Sequence, residues 1–205
     1  MSGDYCDVIR TAENEGKTLF IVGDVSGKGV AASLLMSQLH AIFRSLVDSV
    51  SGIEELMARA NRMLSEAMHS THFVTLVCVG AHAEGKIQVC NAGHPRPLLL
   101  SKGKTTSIDC ASLPLGLFYS GDYGSSTLTL EQGDLLVLYT DGLTESSNSH
   151  REEYGEDRLK SIIQKNPNHS PKAVIASILS DLQRFRDGNP KIDDLTLMAI
   201  RRLPA

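Results

Sequence analysis

The chain has 205 residues, of which 41% are hydrophobic, and this length suits one domain with a sizeable core. A formal net charge of -4 argues against nucleic acid or an anionic membrane as partner. No apolar run approaches the ~20 residues of a bilayer span, and the N-terminus lacks the basic flank and apolar core of a signal peptide. We therefore expect a cytoplasmic protein with no membrane segment.

The first part of the chain predicts one strand followed by two helices. Residues 18–24 are apolar and β-branched up to a glycine and an aspartate, which is typical of a strand. Apolar residues then recur at helical spacing from Val30 to Leu46. Ser51 and Gly52 interrupt this pattern, and a second amphipathic helix follows with its apolar face from Leu56 to Ala67.

From Phe73 onward the sequence predicts short strands, and only later helices again. The strands are separated by Gly, Pro and Asn and are predicted over 73–80, 86–90, 96–101, 128–130 and 134–140. Helices are predicted over 155–164 and 171–185, before a last strand over 195–201. Because strands and helices are grouped rather than alternating, we expect an α+β domain with a mainly antiparallel sheet.

The turn after the first predicted strand permits one alternative function. Gly27, Gly29 and Ala32 fit G-x-G-x-x-A, the phosphate-binding turn of dinucleotide-binding folds, and Asp48 lies near the distance expected for a ribose contact. An oxidoreductase of this kind needs a second strand that ends at Asp48. The sequence has instead a helical pattern that continues through Val47, so this alternative ranks low.

Four aspartates occupy similar positions beside apolar segments. Asp24 and Asp141 end predicted strands, Asp193 opens the last one, and Asp4 precedes the apolar pair Val8 and Ile9. A single aspartate in such a position needs no functional explanation, because Asp is common in turns and at strand ends. Carboxylates gathered at a sheet edge raise one another's pKa unless a cation neutralises them, and a set of oxygen ligands favours Mg²⁺ or Mn²⁺ over Zn²⁺.

Two further aspartates and four cysteines need separate interpretations. Asp7 and Asp194 lie beside two of the proposed ligands and are candidates for holding water near the metal, by adjacency alone.

The cysteines are widely spaced with no C-x-x-C pair, which predicts structural thiols rather than a zinc or redox site. They are Cys6, Cys78, Cys90 and Cys110.

Six segments in order, spread over nearly the whole chain, resemble the motifs of metal-dependent PPM protein phosphatases. They are SGDYCD at 2–7, GDVSGKG at 23–29, NAGHPRPLLL at 91–100, LPLG at 113–116, LLVLYTDGLTES at 135–146 and DDLTLMAIR at 193–201. The branch that they resemble most is the bacterial group of sporulation stage II E and sigma-B regulator U phosphatases.

The resemblance implies a fold, two metal ions and a ligand set. The fold is an α-β-β-α sandwich of two antiparallel sheets flanked by helices, with two Mn²⁺ or Mg²⁺ ions and phosphoserine or phosphothreonine as substrate. Asp4 matches the first metal acid, Asp24 the bridging acid, Asp141 the acid of the D-G motif and Asp193 the acid of the C-terminal motif. Val25 stands where many relatives have a glycine whose backbone carbonyl binds metal.

The resemblance also implies a biological setting. Residues 1–205 would be one phosphatase domain, the C-terminal output module of a longer bacterial signalling protein, acting on a phosphorylated anti-sigma-factor antagonist and able to form a homodimer. Only Met1 to Gly3 precede Asp4, where the family usually has a strand, so we expect the N-terminal edge of a sheet to be truncated. A non-catalytic PPM-like scaffold remains an alternative that turnover would decide.

Overall fold

The structure is a computed structural model that describes residues 3–11, 17–67, 72–191 and 193–203. The chain forms two compact units, each of which is described by itself. The first unit comprises Met1–His94 and Asp109–Thr129, and the second comprises Pro95–Ile108 and Leu130–Ala205.

Nine strands and five α-helices lie in the described residues. In chain order they are β1 (Asp4–Arg10), β2 (Thr18–Val25), α1 (Val30–Leu46), α2 (Ile53–Ala67), β3 (Val74–Ala81), β4 (Lys86–Ala92), β5 (Leu98–Ser101), β6 (Lys104–Ser107), β7 (Ser126–Thr129), β8 (Leu135–Tyr139), α3 (Asp141–Thr144), α4 (Glu156–Gln164), α5 (Pro171–Arg186) and β9 (Leu197–Arg201). A 3₁₀ turn, Val47–Ser49, follows α1.

The first unit is built on an antiparallel sheet with the strand order β1-β2-β3-β4-β7. Successive side chains of a strand point to opposite faces. In β2, Leu19, Ile21 and Val25 belong to the hydrophobic core that includes the buried residues of α1 and α2. Val22 and Asp24 therefore lie on the face that points away from these two helices.

Both helices of the first unit carry the apolar face that their spacing predicts. The buried residues of α1 are Ala32, Leu35, Leu39, Ile42 and Phe43. The turn between β2 and α1 is short, and Gly27 and Gly29 have φ values of 96° and 84° there. Since side chains disfavour this region, these glycines serve the tight reversal from strand to helix.

The second unit is built on a sheet with the order β6-β5-β8-β9, again antiparallel throughout. Helices α4 and α5 share its hydrophobic core. Between them, Tyr154 donates a hydrogen bond from its hydroxyl to Asp181 over 3.0 Å, and Arg158 donates from Nε to the same oxygen over 2.7 Å. Helix α5 begins at Pro171, where the Ser170 side chain accepts a hydrogen bond from the Ala173 amide.

The α+β class with antiparallel sheets is confirmed, and most predicted elements lie within two residues of their predicted bounds. Strands β1 and β6 and the short helix α3 were not predicted. One expectation about the acids is wrong: Asp193 does not open a strand, because β9 begins only at Leu197. Residues 194–196 lie in the loop that precedes this strand. That residues 1–205 form a single domain stays a prediction.

One helix corrects the expectation about membrane segments. By length and composition the stretch Val30–Ser49 is apolar enough to cross a membrane. Its residues Leu39 and Phe43 are fully buried in the core of the first unit. The core helix of a globular domain meets the same length and composition test, so this stretch is weak support for a membrane span.

The structure gives no support to the dinucleotide-binding alternative. Such a fold needs a second strand parallel to the first, but β2 is followed by α1 and α2 and then by antiparallel β3. Asp48 lies in the 3₁₀ turn Val47–Ser49 rather than at a strand end. Gly27 and Gly29 are therefore explained by the turn itself.

Candidate functional site

Two of the four predicted metal acids lie side by side in the first unit. Asp4 of β1 is directly opposite Asp24 of β2 in the antiparallel ladder, and Thr75 of β3 is opposite Asp24 on the other side. These three residues form a polar row across one end of the sheet, on the face away from α1. Like charges directly opposite each other destabilise a sheet unless something neutralises them.

Two oxygens lie close together beside this pair of acids. A Cβ atom built on Gly3 would lie 3.3 Å from Asp24 Oδ1 and 3.1 Å from the carbonyl oxygen of Val25. A side chain at position 3 would therefore crowd both oxygens. The Val25 amide donates a hydrogen bond to the Gly3 carbonyl over 3.3 Å, which ties the two strand ends together.

A buried turn next to Asp24 was not assigned a catalytic role from sequence. In the NAGH segment, Asn91 Oδ1 accepts a hydrogen bond from the His94 amide over 2.8 Å, and Asn91 Nδ2 donates to the His94 carbonyl over 2.9 Å. His94 Nδ1 lies 3.0 Å from Thr75 Oγ1, and that hydroxyl is 3.5 Å from the Asp24 carbonyl. The segment thus forms a structural turn, and through Thr75 it supports the backbone of Asp24.

Asp7 lies three residues from Asp4 and therefore on the opposite face of β1. Its carboxylate accepts hydrogen bonds from Arg44 Nε and Nη2 over 2.9 and 2.5 Å, and from the Tyr5 hydroxyl over 3.2 Å. His40 Nδ1 lies 3.3 Å away. These partners occupy both carboxylate oxygens and link β1 to α1. The prediction, made from adjacency alone, that Asp7 holds water near a metal ion is not tested by these contacts.

We expect Asp7→Asn to lower the thermal unfolding midpoint by about 2–4 °C at pH 7. Burial by itself raises the pKa of Asp7, but hydrogen bonds from Arg44 and its charge hold the pKa below the usual value. Stability from a lowered pKa is present above the unfolded pKa, about 3.9, and is lost as pH falls through the folded pKa. Parent and variant should therefore converge below about pH 4.

Thermal unfolding followed by circular dichroism from pH 7 to pH 3 measures this. Asp122→Asn is the matched control, because Asp122 is exposed in the same unit. A constant difference between parent and Asp7→Asn across the whole pH range would contradict the role assigned to the carboxylate.

The other two predicted metal acids lie together in the second unit. The Thr140 amide donates to the Thr196 carbonyl over 3.1 Å, and the Thr196 amide donates to Thr140 Oγ1 over 2.9 Å. These bonds extend the β8–β9 ladder by one pair beyond Tyr139 and Leu197. The loop before β9 is thereby held alongside the start of α3, where Asp141 is the first residue.

Gly142 is the residue that lets this loop approach so closely. A Cβ atom at position 142 would lie 1.9 Å from the carbonyl oxygen of Asp194 and 3.5 Å from the Cβ of Asp193. No side chain fits there without moving backbone. The D-G motif at 141–142 thus has a mechanical explanation: the aspartate supplies a carboxylate, and the glycine admits the loop that carries Asp193.

The pKa of Glu145 reflects the negative charge around this loop. Partial desolvation, and then the charges of Asp141, Glu153 and Asp193, raise the pKa of Glu145 above its usual value. Asp194, the second water-holding candidate, has Oδ1 3.6 Å from Lys191 Nζ, while its amide donates to Asp193 Oδ1 over 2.9 Å. The second unit therefore contains a cluster of acids that a cation would stabilise.

Each unit thus contains one pair of predicted metal acids. Over residues 3–11, 17–67, 72–191 and 193–203, no three His, Cys, Asp or Glu side chains lie close enough together to form a metal site by themselves. The pairs Asp4–Asp24 and Asp141–Asp193 are nonetheless oxygen donors, with the Val25 carbonyl beside the first pair. The chemistry of these oxygen donors fits a hard divalent cation.

Two of the four cysteines, Cys78 and Cys90, show the protection expected of structural thiols, whereas Cys6 is exposed and Cys110 is partly exposed. Burial raises the pKa of Cys78 to about 12 and raises that of Cys90 as well. We expect iodoacetamide at pH 7.5 to leave both unlabelled in the folded protein, because the reactive thiolate is scarce and access is blocked. Mass spectrometry of the digested protein measures the labelling, and protein unfolded in urea is the control. Rapid labelling of either residue in the folded state would contradict the assignment.

Comparison with known proteins identifies the family of this chain. The sequence profile of Stage II sporulation protein E (SpoIIE) matches residues 14–203. The chain belongs to the SpoIIE family. The matched range includes five of the six motifs, all except SGDYCD at 2–7, and PPM phosphatases, the larger class that includes this family, are metal-dependent.

Relatives of this SpoIIE-family chain include proteins of known structure. The phosphoserine phosphatase RsbU of Bacillus subtilis (strain 168) is 27% identical over 208 residues, which cover 98% of this chain and 60% of RsbU. The RsbU and RsbW domains of Rv1364c from Mycobacterium tuberculosis align with a TM-score of 0.79 at 27% identity, covering 100% of this chain and 56% of that one. The SiaA-PP2C domain of Pseudomonas aeruginosa aligns with a TM-score of 0.87 at 17% identity, covering 98% and 80%. The fold is that of PP2C phosphatase domains, and the chain spans about three fifths of the length of RsbU.

Proposed function

We propose that this chain is a metal-dependent serine/threonine protein phosphatase domain. The observation that carries the proposal is the pair Asp4–Asp24, two carboxylates directly opposite each other with the Val25 carbonyl beside them, in a chain that belongs to the SpoIIE family. Opposed acids of this kind are costly to a sheet and useful to a cation site. The reaction is hydrolysis of a phosphoserine or phosphothreonine monoester.

We assign the metal ligands as Asp4, Asp24, Asp141 and Asp193, together with the carbonyl oxygen of Val25. The cofactors are two Mn²⁺ or Mg²⁺ ions. Divalent cations held by these oxygens would lower the pKa of a water molecule and neutralise the charge of the phosphoryl group. Asp24, which matches the bridging acid of the family motif, would hold the cations together with Asp4 and the Val25 carbonyl.

The proposal gives none of the side chains the role of nucleophile. Asp194 is proposed to orient water beside Asp193. The same role is proposed for Asp7, although its hydrogen bonds to Arg44 compete with water for the carboxylate. His94 and Thr75 support the backbone of Asp24 and are given no role in proton transfer. The acids would therefore hold the cations that position the phosphoryl group and neutralise its charge. A water molecule attacks phosphorus and displaces the serine or threonine oxygen, without a phosphoenzyme intermediate.

The proposed substrate is a serine-phosphorylated anti-sigma-factor antagonist in the bacterial cytoplasm. Support comes from the name of the relative RsbU, a phosphoserine phosphatase, and from the motifs shared with the sigma-B regulator branch. Because the chain spans about three fifths of RsbU, we propose that it is the C-terminal output module of a longer protein and that the domain can pair as a homodimer.

The proposal predicts that phosphate release depends entirely on added divalent cation. We expect hydrolysis of p-nitrophenyl phosphate, and of phosphorylated anti-sigma-factor antagonists, with Mn²⁺ or Mg²⁺, and a loss of more than about 100-fold in excess EDTA. Colorimetric phosphate release measures the rate, and titration calorimetry with Mn²⁺ measures the number of ions bound. Full activity in EDTA would contradict the metal mechanism. Metal binding without any turnover would favour the non-catalytic scaffold.

A further inference from the structure

A cleft lies within the second unit, between the end of α5 and residues that precede β9. Its volume is about 890 Å³, within the range of ~300–1,000 Å³ that is usual for small-molecule sites. Three of the residues that line it are Leu179, Leu182 and Leu195. Leu179 and Leu182 are three residues apart on α5 and share one face of the helix, and Leu179 is 42% exposed. The cleft therefore offers apolar surface that a ligand would remove from water.

Three cations and one acid also line this cleft among the residues that the structure describes. Arg184 and Arg186 lie in the last turn of α5, Lys191 follows the helix, and Asp187 is the acid. Basic residues in a last turn complement the helix dipole, which accounts in part for the two arginines. The dipole does not account for Lys191, whose Nζ is 3.6 Å from Asp194 Oδ1, beyond hydrogen-bond distance. The lining thus carries excess positive charge beside apolar surface.

The two arginines keep hydrogen-bond donors that the described residues do not use. Arg184 Nη2 lies 3.3 Å from Asp181 Oδ1, and that carboxylate already accepts hydrogen bonds from Arg158 over 2.7 and 3.2 Å. The side chain of Arg184 is 71% exposed. Arg186 donates from Nη2 to the Asn189 carbonyl over 2.8 Å. Because a guanidinium has five N–H donors, most of the donors on both arginines are available to an anion.

We infer that this cleft binds a small organic anion, in which an acidic group such as a carboxylate is joined to an aliphatic or aromatic body. The acidic group contacts the arginines, and the body covers the leucines. Arg184 and Arg186 are separated by about 3 Å along the helix axis, which suits one compact anionic group better than a long acidic chain. Three cations are also few for a nucleic acid, whose binding depends on many phosphate contacts. The inference does not rest on the proposed phosphatase activity.

Titration of the chain with sodium octanoate tests the inference, with sodium acetate and octylammonium chloride as matched probes. Acetate has the anionic group without the apolar body, and octylammonium has a similar body with the opposite charge. We expect octanoate to bind at least about tenfold more tightly than either probe. Methyl NMR spectra recorded in EDTA measure the Kd without any divalent cation, and the methyl resonances of Leu179 and Leu195 should shift.

Substitution of the arginines locates the site. Arg184→Gln with Arg186→Gln should weaken octanoate binding by about tenfold, because both donors to the carboxylate are lost. Lys165→Gln with Lys172→Gln is the matched control, since it removes two exposed cations of the same unit that do not line the cleft. It should change the Kd by less than about twofold. Thermal unfolding checks each variant, and Arg184→Gln alone, which keeps the bond from Arg186 to Asn189, serves if the double variant does not fold.

Each other outcome overturns the inference. Octanoate that binds no more tightly than acetate or octylammonium, or that shows no saturable binding below about 10 mM, excludes a site of this chemistry. NMR shifts confined to leucines outside the cleft, or an unchanged Kd in the arginine variants, place the binding elsewhere. Tetraglutamate that binds more tightly than octanoate assigns the cleft to an acidic protein segment instead of a small molecule.

Discussion

Asp24→Asn should reduce metal-dependent phosphate release by about 100-fold or more, with metal affinity falling in parallel. Asparagine keeps the shape and one oxygen of the side chain but removes the negative charge that would balance two divalent ions. The fold should survive, and the metal-free protein should unfold at the same or a higher temperature. The reason is that Asp24 lies directly opposite Asp4, and the substitution relieves the repulsion between two like charges on neighbouring strands.

Three measurements on the same samples decide this prediction. Phosphate release with saturating Mn²⁺, calorimetric titration of Mn²⁺ and thermal unfolding in EDTA are compared for the parent, Asp24→Asn and Asp141→Asn. Asp122→Asn is the control for loss of an aspartate on an exposed surface of the first unit. If Asp24→Asn and Asp141→Asn bind two ions and turn over normally, the ligand assignment is wrong. A large loss of stability in EDTA would contradict the account of Asp4 and Asp24 as a repulsive pair.

Gly142→Ala should destabilise the second unit by about 1–3 kcal/mol and lower phosphatase activity by at least about tenfold. The added methyl group would lie 1.9 Å from the carbonyl oxygen of Asp194, a backbone atom that a side-chain rotation cannot move away. The loop that carries Asp193 must therefore shift. Because Asp141 and Asp193 are both proposed metal ligands, the shift should weaken Mn²⁺ binding as well as folding.

Gly124→Ala is the matched control, since a Cβ atom at Gly124 would meet no other atom within 4 Å. It should change stability by no more than about 0.5 kcal/mol. Urea unfolding measures stability, and calorimetry measures Mn²⁺ affinity. If Gly142→Ala loses stability but keeps the Mn²⁺ affinity of the parent, the glycine serves packing alone. Unchanged stability would mean that the loop before β9 is free to move, contrary to the close approach described above.

Several features could be predicted from the sequence because they depend on local periodicity. The apolar spacing in α1, the apolar strands β2 and β8 and the proline and serine at the start of α5 all have the meaning that short-range rules assign to them. The antiparallel α+β class followed from the grouping of strands and helices. The family followed from six motifs in order, and the match of residues 14–203 to the SpoIIE family confirms it.

The edges of the sheets were harder to predict because their pattern is weak. Strand β1 is an outer strand with Val8 47% exposed, so its apolar content is low and its start at Asp4 carries no strand signal. Strand β6 is a polar four-residue strand, Lys104–Ser107, whose identity comes from pairing with β5. Pairing with a neighbour supplies what local propensity lacks.

The sequence by itself determined which residues are acids, where each lies relative to an apolar strand, and therefore what class of cation they suit. Only the tertiary structure decided which acids act together. Asp4 and Asp7 are three residues apart on β1, so the pleat points them to opposite faces, one beside Asp24 and the other toward Arg44. The close approach of Gly142 to Asp194, and the hydrogen bonds of Asn61 with the backbone of Gly116 and Phe118, join residues more than 50 positions apart. Contacts at that range depend on how the elements pack, and no local pattern in the chain encodes them.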